Sequence, residues 1–242
     1  MAKSQVSLKN FKRFRHTKLG FFLEDGVFGA NDGIVSTFAV VASVAGAALS
    51  PITIVIVGVA SLFADAFSMA TSNYLATESS RDLYARERGI EKDEVESRPQ
   101  SEIDEIRVIL TQKGYVGQDL DAMTALVTKN KKFWVDLMMY EELGFAPPDK
   151  RSAFQHGVAT FVSFVGAGFL PLLPYLFLSD DSSGVFFWSV IATGLALFGI
   201  GALRAYFTGR NWLISGAEMF FFGGVAALIA YGLGYAVSGI VR

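Results

Sequence analysis

The chain has 242 residues, no cysteine and a formal net charge of −2 at pH 7. Without cysteine it can form neither disulfides nor thiolate zinc sites, and so small a net charge gives no reason to expect a nucleic-acid partner. Apolar residues make up 52% of the sequence and charged residues only 18%, whereas soluble domains are about a quarter charged. The composition favours a membrane protein.

Five stretches are apolar and long enough to cross a bilayer as helices, which requires roughly 20 residues. We predict an all-α membrane protein with spans near 22–49, 51–77, 153–178, 184–207 and 212–239. Residues 1–21 form a basic segment that lacks the apolar core of a signal peptide. Residues 78–152 form a polar tract between the second and third spans, too long for a turn, and we interpret it as an inserted domain.

Lysine and arginine accumulate on the cytoplasmic side of short membrane loops. In this chain they collect in the N-terminal segment, in the insertion and in the fourth connection, which carries Arg204 and Arg210. Five spans put these three regions on one face, so we expect a multi-pass protein whose N-terminus and insertion are cytoplasmic. Because the loops are compact and no organellar address is visible, we expect a prokaryotic cell membrane.

Carboxylates in the first span are the first candidates for function. Asp25 and Asp32 are seven residues apart, and two helical turns put them on one face. A carboxylate at membrane depth is unfavourable by several kcal/mol, so it is by default a functional hypothesis. We expect Asp32 to line a polar path, whereas Glu24 and Asp25 could also lie in the headgroup region. Glycines on this span would let another backbone approach, and we expect them at a dimer axis: Gly26, Gly29 and Gly33.

The second span carries Asp65, Met69 and Asn73 at successive i+4 steps, which places them on one helical face. Carboxylate and amide oxygens suit Mn²⁺ or Fe²⁺, and a thioether adds softness that Mg²⁺ or Ca²⁺ would not favour. Met69 alone would more often be a packing residue, but its polar neighbours favour a ligand. We therefore predict a metal path between the first and second spans.

The insertion is predicted to contain three helices. The first continues from the second span to about residue 96, and the second begins after Ser97, its predicted N-cap, with Pro99 in the first turn. The third covers about 119–143 and ends before Gly144.

The insertion also repeats a pattern of paired carboxylates. First-turn carboxylates are common because they complement the helix dipole, so each charge alone has an ordinary explanation. The repetition at i, i+3, together with a methionine pair near a further glutamate, would let oxygen and thioether atoms complete a site across helices. The residues concerned are Glu91, Glu94, Glu102, Glu105, Met138, Met139 and Glu142.

Four segments resemble the vacuolar iron transporter family, in the same order along the chain: Gly29-Ala-Asn-Asp-Gly-Ile-Val-Ser-Thr-Phe38, Ser68-Met69-Ala70 with Tyr74, Phe169-Leu-Pro-Leu-Leu-Pro174, and Gly209-Arg-Asn-Trp-Leu-Ile-Ser-Gly-Ala-Glu-Met219. The resemblance implies a homodimer, five membrane helices in each subunit, and a cytoplasmic three-helix metal-binding domain between helices two and three. It also implies export of Fe²⁺, and often of Mn²⁺, from the cytosol in exchange for protons, without a permanent cofactor.

Carried over by position, the family's membrane ligands fall on Asp32 and Met69, and its cytoplasmic ligands fall on the seven insertion residues above. Many members have Gly-Glu-Tyr where this chain has Ser72-Asn73-Tyr74, so one membrane glutamate is missing. Asp65 lies two turns earlier on the same face, about 12 Å away along the axis. We expect Asp65 to replace the missing carboxylate.

Two other functions compete with transport. A membrane-anchored metal sensor or buffer would need the acidic domain but no polar residues inside its spans. An intramembrane enzyme is disfavoured because the chain has neither His-Glu-x-x-His nor Gly-x-Ser-x-Gly. We expect His156 to be an interfacial residue, and for Glu218 both a buried proton carrier and an interfacial cap remain open.

Overall fold

A computed structural model describes residues 23–149, 151–178 and 182–241, so the predicted basic segment 1–21 lies outside the described residues. The described part is helical and contains no strand. Within the described residues, five helical segments are long and apolar enough to cross a membrane. They belong to α1 (Leu23–Gly46), α2 (Pro51–Ser97), α6 with α7 (Ala153–Gly168 and Leu173–Phe177), α8 (Ser182–Thr208) and α9 (Trp212–Val241). The protein is an integral membrane protein, as predicted.

The third span is interrupted by a proline-rich turn. Between α6 and α7 lies a short 3₁₀ helix, Leu170–Leu172. Pro171 and Pro174 lack the backbone N–H that a continuous α-helix needs, which breaks the regular hydrogen-bond ladder here. The hydroxyl of Ser189 donates to the carbonyl of Pro171 at 2.6 Å, so α8 satisfies one of the backbone groups at the interruption.

The described chain divides into two compact units. The membrane unit comprises the residues up to Tyr74 and those from Phe154 onward, and the inserted unit is Leu75–Ala153. The core of the membrane unit is built by aliphatic and aromatic side chains from α1, α2, α6 and the 3₁₀ turn: Phe38, Val41, Leu62, Phe164 and Leu172.

Helices α1 and α6 pack with their backbones in contact. A Cβ on Gly29 would lie 2.7 Å from the carbonyl oxygen of Thr160, and one on Gly33 would lie 2.3 Å from that of Phe164. Neither position has room for a side chain, which is the close approach that small residues allow in membranes. The dimer-axis role expected for Gly29 and Gly33 is therefore wrong, because the third span of the same chain occupies this face.

We expect Gly33→Ala to destabilise the membrane unit by about 1–3 kcal/mol, because the added methyl group would force α1 and α6 apart. The midpoint of thermal unfolding in detergent measures the effect. Gly166→Ala on α6 is the matched control, since a Cβ there would meet nothing within 4 Å. Equal midpoints for the two variants would contradict the packing.

The inserted unit contains the end of α2 and three further helices: α3 (Pro99–Gln112), α4 (Gly117–Lys129) and α5 (Lys131–Glu141). The predicted helix 119–143 is thus two helices. Asn130 separates them, and its side-chain oxygen accepts a hydrogen bond from the backbone N–H of Phe133 at 3.2 Å, which caps α5. Ser97 is not the N-cap of α3: it ends α2, and its hydroxyl donates to the carbonyl of Asp93.

Candidate functional site

The inserted unit gathers the predicted acidic residues around one end of its core. Glu91 and Glu94 lie on α2, Glu102 and Glu105 on α3, and Glu142 directly follows α5. Glu91 and Glu102 are only 3% and 5% exposed. Burying a carboxylate is unfavourable, so this placement is unusual for residues that only solvate a helix surface.

The five carboxyl groups are close enough to influence one another's protonation. Burial, together with the charges of Glu102, Glu142 and Glu94, raises the pKa of Glu91 to about 8. Burial also raises the pKa of Glu102, with the charges of Glu105 and Glu94 adding to the effect. The pKa of Glu142 is raised by burial and by the charges of Glu105, Glu102 and Glu94. The glutamates predicted from the paired spacing therefore form one electrostatic cluster, which we call the acidic cluster.

One oxygen of the acidic cluster lacks a partner. Within the described part of the chain, Oε1 of Glu91 is buried and accepts no hydrogen bond. Buried polar atoms are nearly always paired, and a divalent cation would satisfy this oxygen and offset the mutual repulsion of the carboxylates.

Met138 and Met139 are fully buried and pack in the core of the inserted unit beside Val95, Ile106 and Trp134. Among the described residues, no three His, Asp or Glu side chains are grouped so that they could hold a metal ion as they stand. A bound ion would therefore require the glutamate side chains to turn toward a common point. The sulfur atoms are in the adjoining core, where methionine's flexible side chain could follow such a movement.

The raised pKa of Glu91 predicts how stability depends on pH. Between its ordinary value of 4.5 and its folded value of about 8, the folded state binds more protons than the unfolded state. The inserted unit should therefore lose stability as the pH rises through this window. We expect Glu91→Gln to flatten the dependence. Amide hydrogen exchange of α3 and α5, corrected for its intrinsic pH dependence, measures it, and Asp93→Asn on the exposed side of α2 is the control.

If metal-free wild-type protein and Glu91→Gln lost protection in parallel between pH 5 and 8, the electrostatic account of the acidic cluster would be wrong.

Two carboxylates of the membrane unit lie exposed near each other. Asp32 on α1 and Asp65 on α2 are both exposed on the single chain, and their charges are close enough to repel. The hydroxyl of Ser61 donates to Oδ2 of Asp65 at 2.8 Å, which orients this carboxylate. Met69, one turn further along α2, is half-buried against the core. We call Asp32 and Asp65 the membrane carboxylate pair.

Asp25 and Asn73, the other predicted path residues, belong to a buried polar cluster. The amide nitrogen of Asn73 donates to Oδ1 of Asp25 at 2.9 Å and to the hydroxyl of Thr160 at 2.7 Å. Nδ1 of His156 lies 2.8 Å from Oδ2 of Asp25. These contacts join α1, α2 and α6, and both carboxylate oxygens of Asp25 take part in them.

His156 is the site residue that sequence reasoning missed. Its side chain is only 13% exposed, although its position at the start of a span predicts an interfacial residue. The partner, Asp25, is 131 positions away, so no local spacing could reveal the pair.

The sequence left two roles open for Glu218, a buried proton carrier and an interfacial cap. Its carboxylate forms an ion pair with Arg210 at 2.9 Å, which favours the interfacial role.

Comparison with known proteins is consistent with this geometry. A model of the VIT family matches residues 23–235. The chain belongs to the VIT family. Among VIT relatives, vacuolar iron transporter 1 of Arabidopsis thaliana is 35% identical over 217 residues, covering 90% of this chain and 86% of the relative. The vacuolar iron transporter of Centaurea cyanus is 34% identical over 233 residues, covering 96% and 95%, and that of Plasmodium berghei (strain Anka) is 31% identical over 213 residues, covering 85% and 78%.

Family membership confirms the resemblance seen in the sequence motifs. The named VIT relatives are transporters, which confirms the prediction that this chain is not an enzyme. They come from plants and a parasite and are called vacuolar, which argues against the prokaryotic cell membrane that the compact loops led us to expect.

Proposed function

We propose that this protein is a transmembrane transporter of divalent transition metals that moves Fe²⁺, and also Mn²⁺, out of the cytosol in exchange for protons. In this role it would serve iron and manganese homeostasis. The observation that carries the proposal is the membrane carboxylate pair, Asp32 and Asp65, exposed on neighbouring spans. The names of the VIT relatives support iron as the cargo.

The chemistry of the pair suits metal–proton exchange. Two oxygen-donating carboxylates can replace part of the water shell of Fe²⁺ or Mn²⁺. The same two groups, which repel each other when both are charged, can take up protons instead. The thioether of Met69 lies one turn from Asp65 and would add a softer ligand after a rotation of its flexible side chain.

The exposure of Asp32 and Asp65 also supports a homodimer. Hydrocarbon does not tolerate charged side chains, and charged residues in spans usually face protein or water. Helix α6 already covers the glycine face of α1, so the exposed faces that carry Asp32 and Asp65 need another cover. We propose that a second copy packs there and encloses the metal path between the two subunits.

Protons are the proposed driving force. Moving a doubly charged ion outward against a 100 mV inside-negative potential requires roughly 4.6 kcal/mol, twice the value for a single charge. The chain has no Walker motif that would indicate ATP chemistry. Proton entry would supply the free energy, and the membrane carboxylate pair would carry the protons.

The acidic cluster would gather the metal on the cytoplasmic side. Its carboxylates repel one another, two of them (Glu91 and Glu102) are buried, and one oxygen of Glu91 has no partner; these features favour cation binding. The proposed ligands are the seven insertion residues predicted from the sequence, with Met138 and Met139 supplying softness. The distribution of lysine and arginine supports a cytoplasmic position for the N-terminus and the insertion.

The alternative is a membrane-anchored metal sensor or buffer. The acidic cluster alone would suffice for that function, and no exposed carboxylate would be needed in the spans. Transport by the purified protein separates the two functions, because a sensor or buffer would bind metal without moving it.

Transport into vesicles that contain only this protein is the decisive experiment. We expect Asp32→Asn to reduce Fe²⁺ or Mn²⁺ transport at least tenfold, because the shape is kept and a charge on the path is lost. For Asp65→Asn we expect metal transport that a pH gradient no longer accelerates. Ser72→Ala, on the exposed surface of α2, is the control and should behave like wild type.

Undiminished proton dependence in Asp65→Asn would return Asp65 to a structural role. An inactive wild-type protein that still binds metal would favour the sensor or buffer.

Metal binding by the acidic cluster has its own test. In full-length protein, Glu91→Gln combined with Glu102→Gln should weaken Mn²⁺ binding at least tenfold in calorimetry, since two charged ligands are lost. Glu87→Gln lies one turn before Glu91 on α2 and outside the set of coupled carboxylates, so it should bind as wild type does. Unchanged affinity in the double variant would remove the acidic cluster from the proposal. Some transport should remain, because the cluster only delivers ions.

A further inference from the structure

A cavity of about 620 Å³ opens between α1, α8 and α9 in the membrane unit, and neither Asp32 nor Asp65 lines it. It lies where α1 begins and near the end of α8, because Glu24 is in the first turn of α1 and Arg204 lies four residues before the last residue of α8. The walls combine charged, amide and apolar groups: Glu24, Asn31, Arg204, Val27, Phe28 and Phe222.

The two charged residues of this cavity are not paired within the protein as described. In the described ranges, neither the guanidinium of Arg204 nor the carboxylate of Glu24 forms an ion pair or a side-chain hydrogen bond. Arg210, six residues after Arg204, does have a partner, Glu218. Arg204 is half-buried, so water solvates its guanidinium only in part. Loss of solvation around a charge is unfavourable unless another group compensates it.

The polar groups that line the cavity lie at different depths along α1. Asn31 lies seven residues beyond Glu24, which is about 10 Å deeper along the helix axis. Its side-chain amide can donate hydrogen bonds at that level, and Phe28 and Phe222 supply apolar wall. The cavity therefore presents opposite charges at its mouth, an amide further in and apolar surface beside it. A phospholipid has the same sequence of headgroup charges, ester carbonyls and acyl chains.

An arginine near the end of a span commonly reaches into the headgroup region without any specific site. Two observations distinguish Arg204 from that general case. It lines a cavity rather than a convex surface, and a carboxylate with no partner in the described chain lines the same cavity. Basic pockets between membrane helices are known to hold lipid headgroups, and the carboxylate adds a condition that the headgroup must meet.

We propose that this cavity binds one phospholipid whose headgroup carries both a phosphate and a primary ammonium group. Arg204 would bind the phosphate oxygens, which match the fork of N–H donors on a guanidinium. Glu24 would accept hydrogen bonds from the ammonium, and Asn31 would donate to an ester carbonyl. Headgroups with only negative charge would be repelled by Glu24, and a quaternary ammonium has no N–H to donate.

The test measures which lipids the full-length protein retains. Protein purified in detergent is incubated with an equal mixture of dioleoyl phosphatidylethanolamine, phosphatidylglycerol and phosphatidylcholine, and the lipids bound are quantified by native mass spectrometry. We expect wild type to retain phosphatidylethanolamine about tenfold better than either other lipid. Arg204→Gln should lose this retention about tenfold, and Arg204→Lys should restore part of it.

Glu24→Gln separates the two charges. Without the carboxylate, the preference over phosphatidylglycerol should disappear while phosphate binding remains. Arg210→Gln, outside the cavity and near the same helix end, is the control and should retain lipid as wild type does. If Arg204→Gln does not fold, as judged by thermal unfolding, the change in preference of Glu24→Gln decides the proposal.

Equal retention of the three lipids by wild type would show ordinary bilayer solvation and overturn the proposal. Unchanged phosphatidylethanolamine retention in folded Arg204→Gln would overturn it too. If millimolar inorganic phosphate displaced the lipid, the cavity would be a site for free phosphate, and the lipid proposal would be overturned.

Discussion

A carboxylate within a membrane must have polar or protein neighbours, because hydrocarbon offers it no hydrogen bond. The arrangement of the first two spans depends on how three aspartates meet this requirement. Asp25 meets it inside the chain, through Asn73 and His156. Asp65 accepts one hydrogen bond, from Ser61, but Asp65 and Asp32 are both exposed on the described chain. The membrane unit thus contains one aspartate that joins three helices and two aspartates that lie on its exposed surface.

The inserted unit buries two of its carboxylates, Glu91 and Glu102, whereas Asp32 and Asp65 of the membrane unit are exposed. There the carboxylates are placed beside a methionine-containing core, and burial is the largest cause of the raised pKa of Glu91, Glu102 and Glu142. Such a cluster is held in place by the surrounding apolar packing, because its charged members repel one another. In both units, therefore, carboxylates lie close enough for their charges to repel one another.

The apolar length of the spans made the membrane part of the fold predictable, and the spacing of glutamates pointed to the acidic cluster. These signals are local, because a span is recognised from roughly 20 consecutive residues and each glutamate pair from a spacing of three positions. The break at Asn130 could not be foreseen because a favourable cap competed with an otherwise continuous helical pattern. The partner of Asp25 and the helix that faces Gly33 also depend on tertiary contacts across more than a hundred residues. Sequence reasoning therefore could not identify His156 as a partner of Asp25, and it placed Gly33 at a dimer axis.

The buried polar cluster holds together the two places where the chain leaves and re-enters the membrane bundle. Asn73 and His156 stand just outside the two ends of the insertion, and the amide of Asn73 lies 3.5 Å from the carbonyl oxygen of His156. The chain therefore leaves the bundle and returns to it at almost the same point. A segment with adjacent ends can be lengthened, exchanged or replaced by a short linker without moving the spans. The insertion is in this sense a detachable module, and a short linker could replace it in an engineered five-helix bundle.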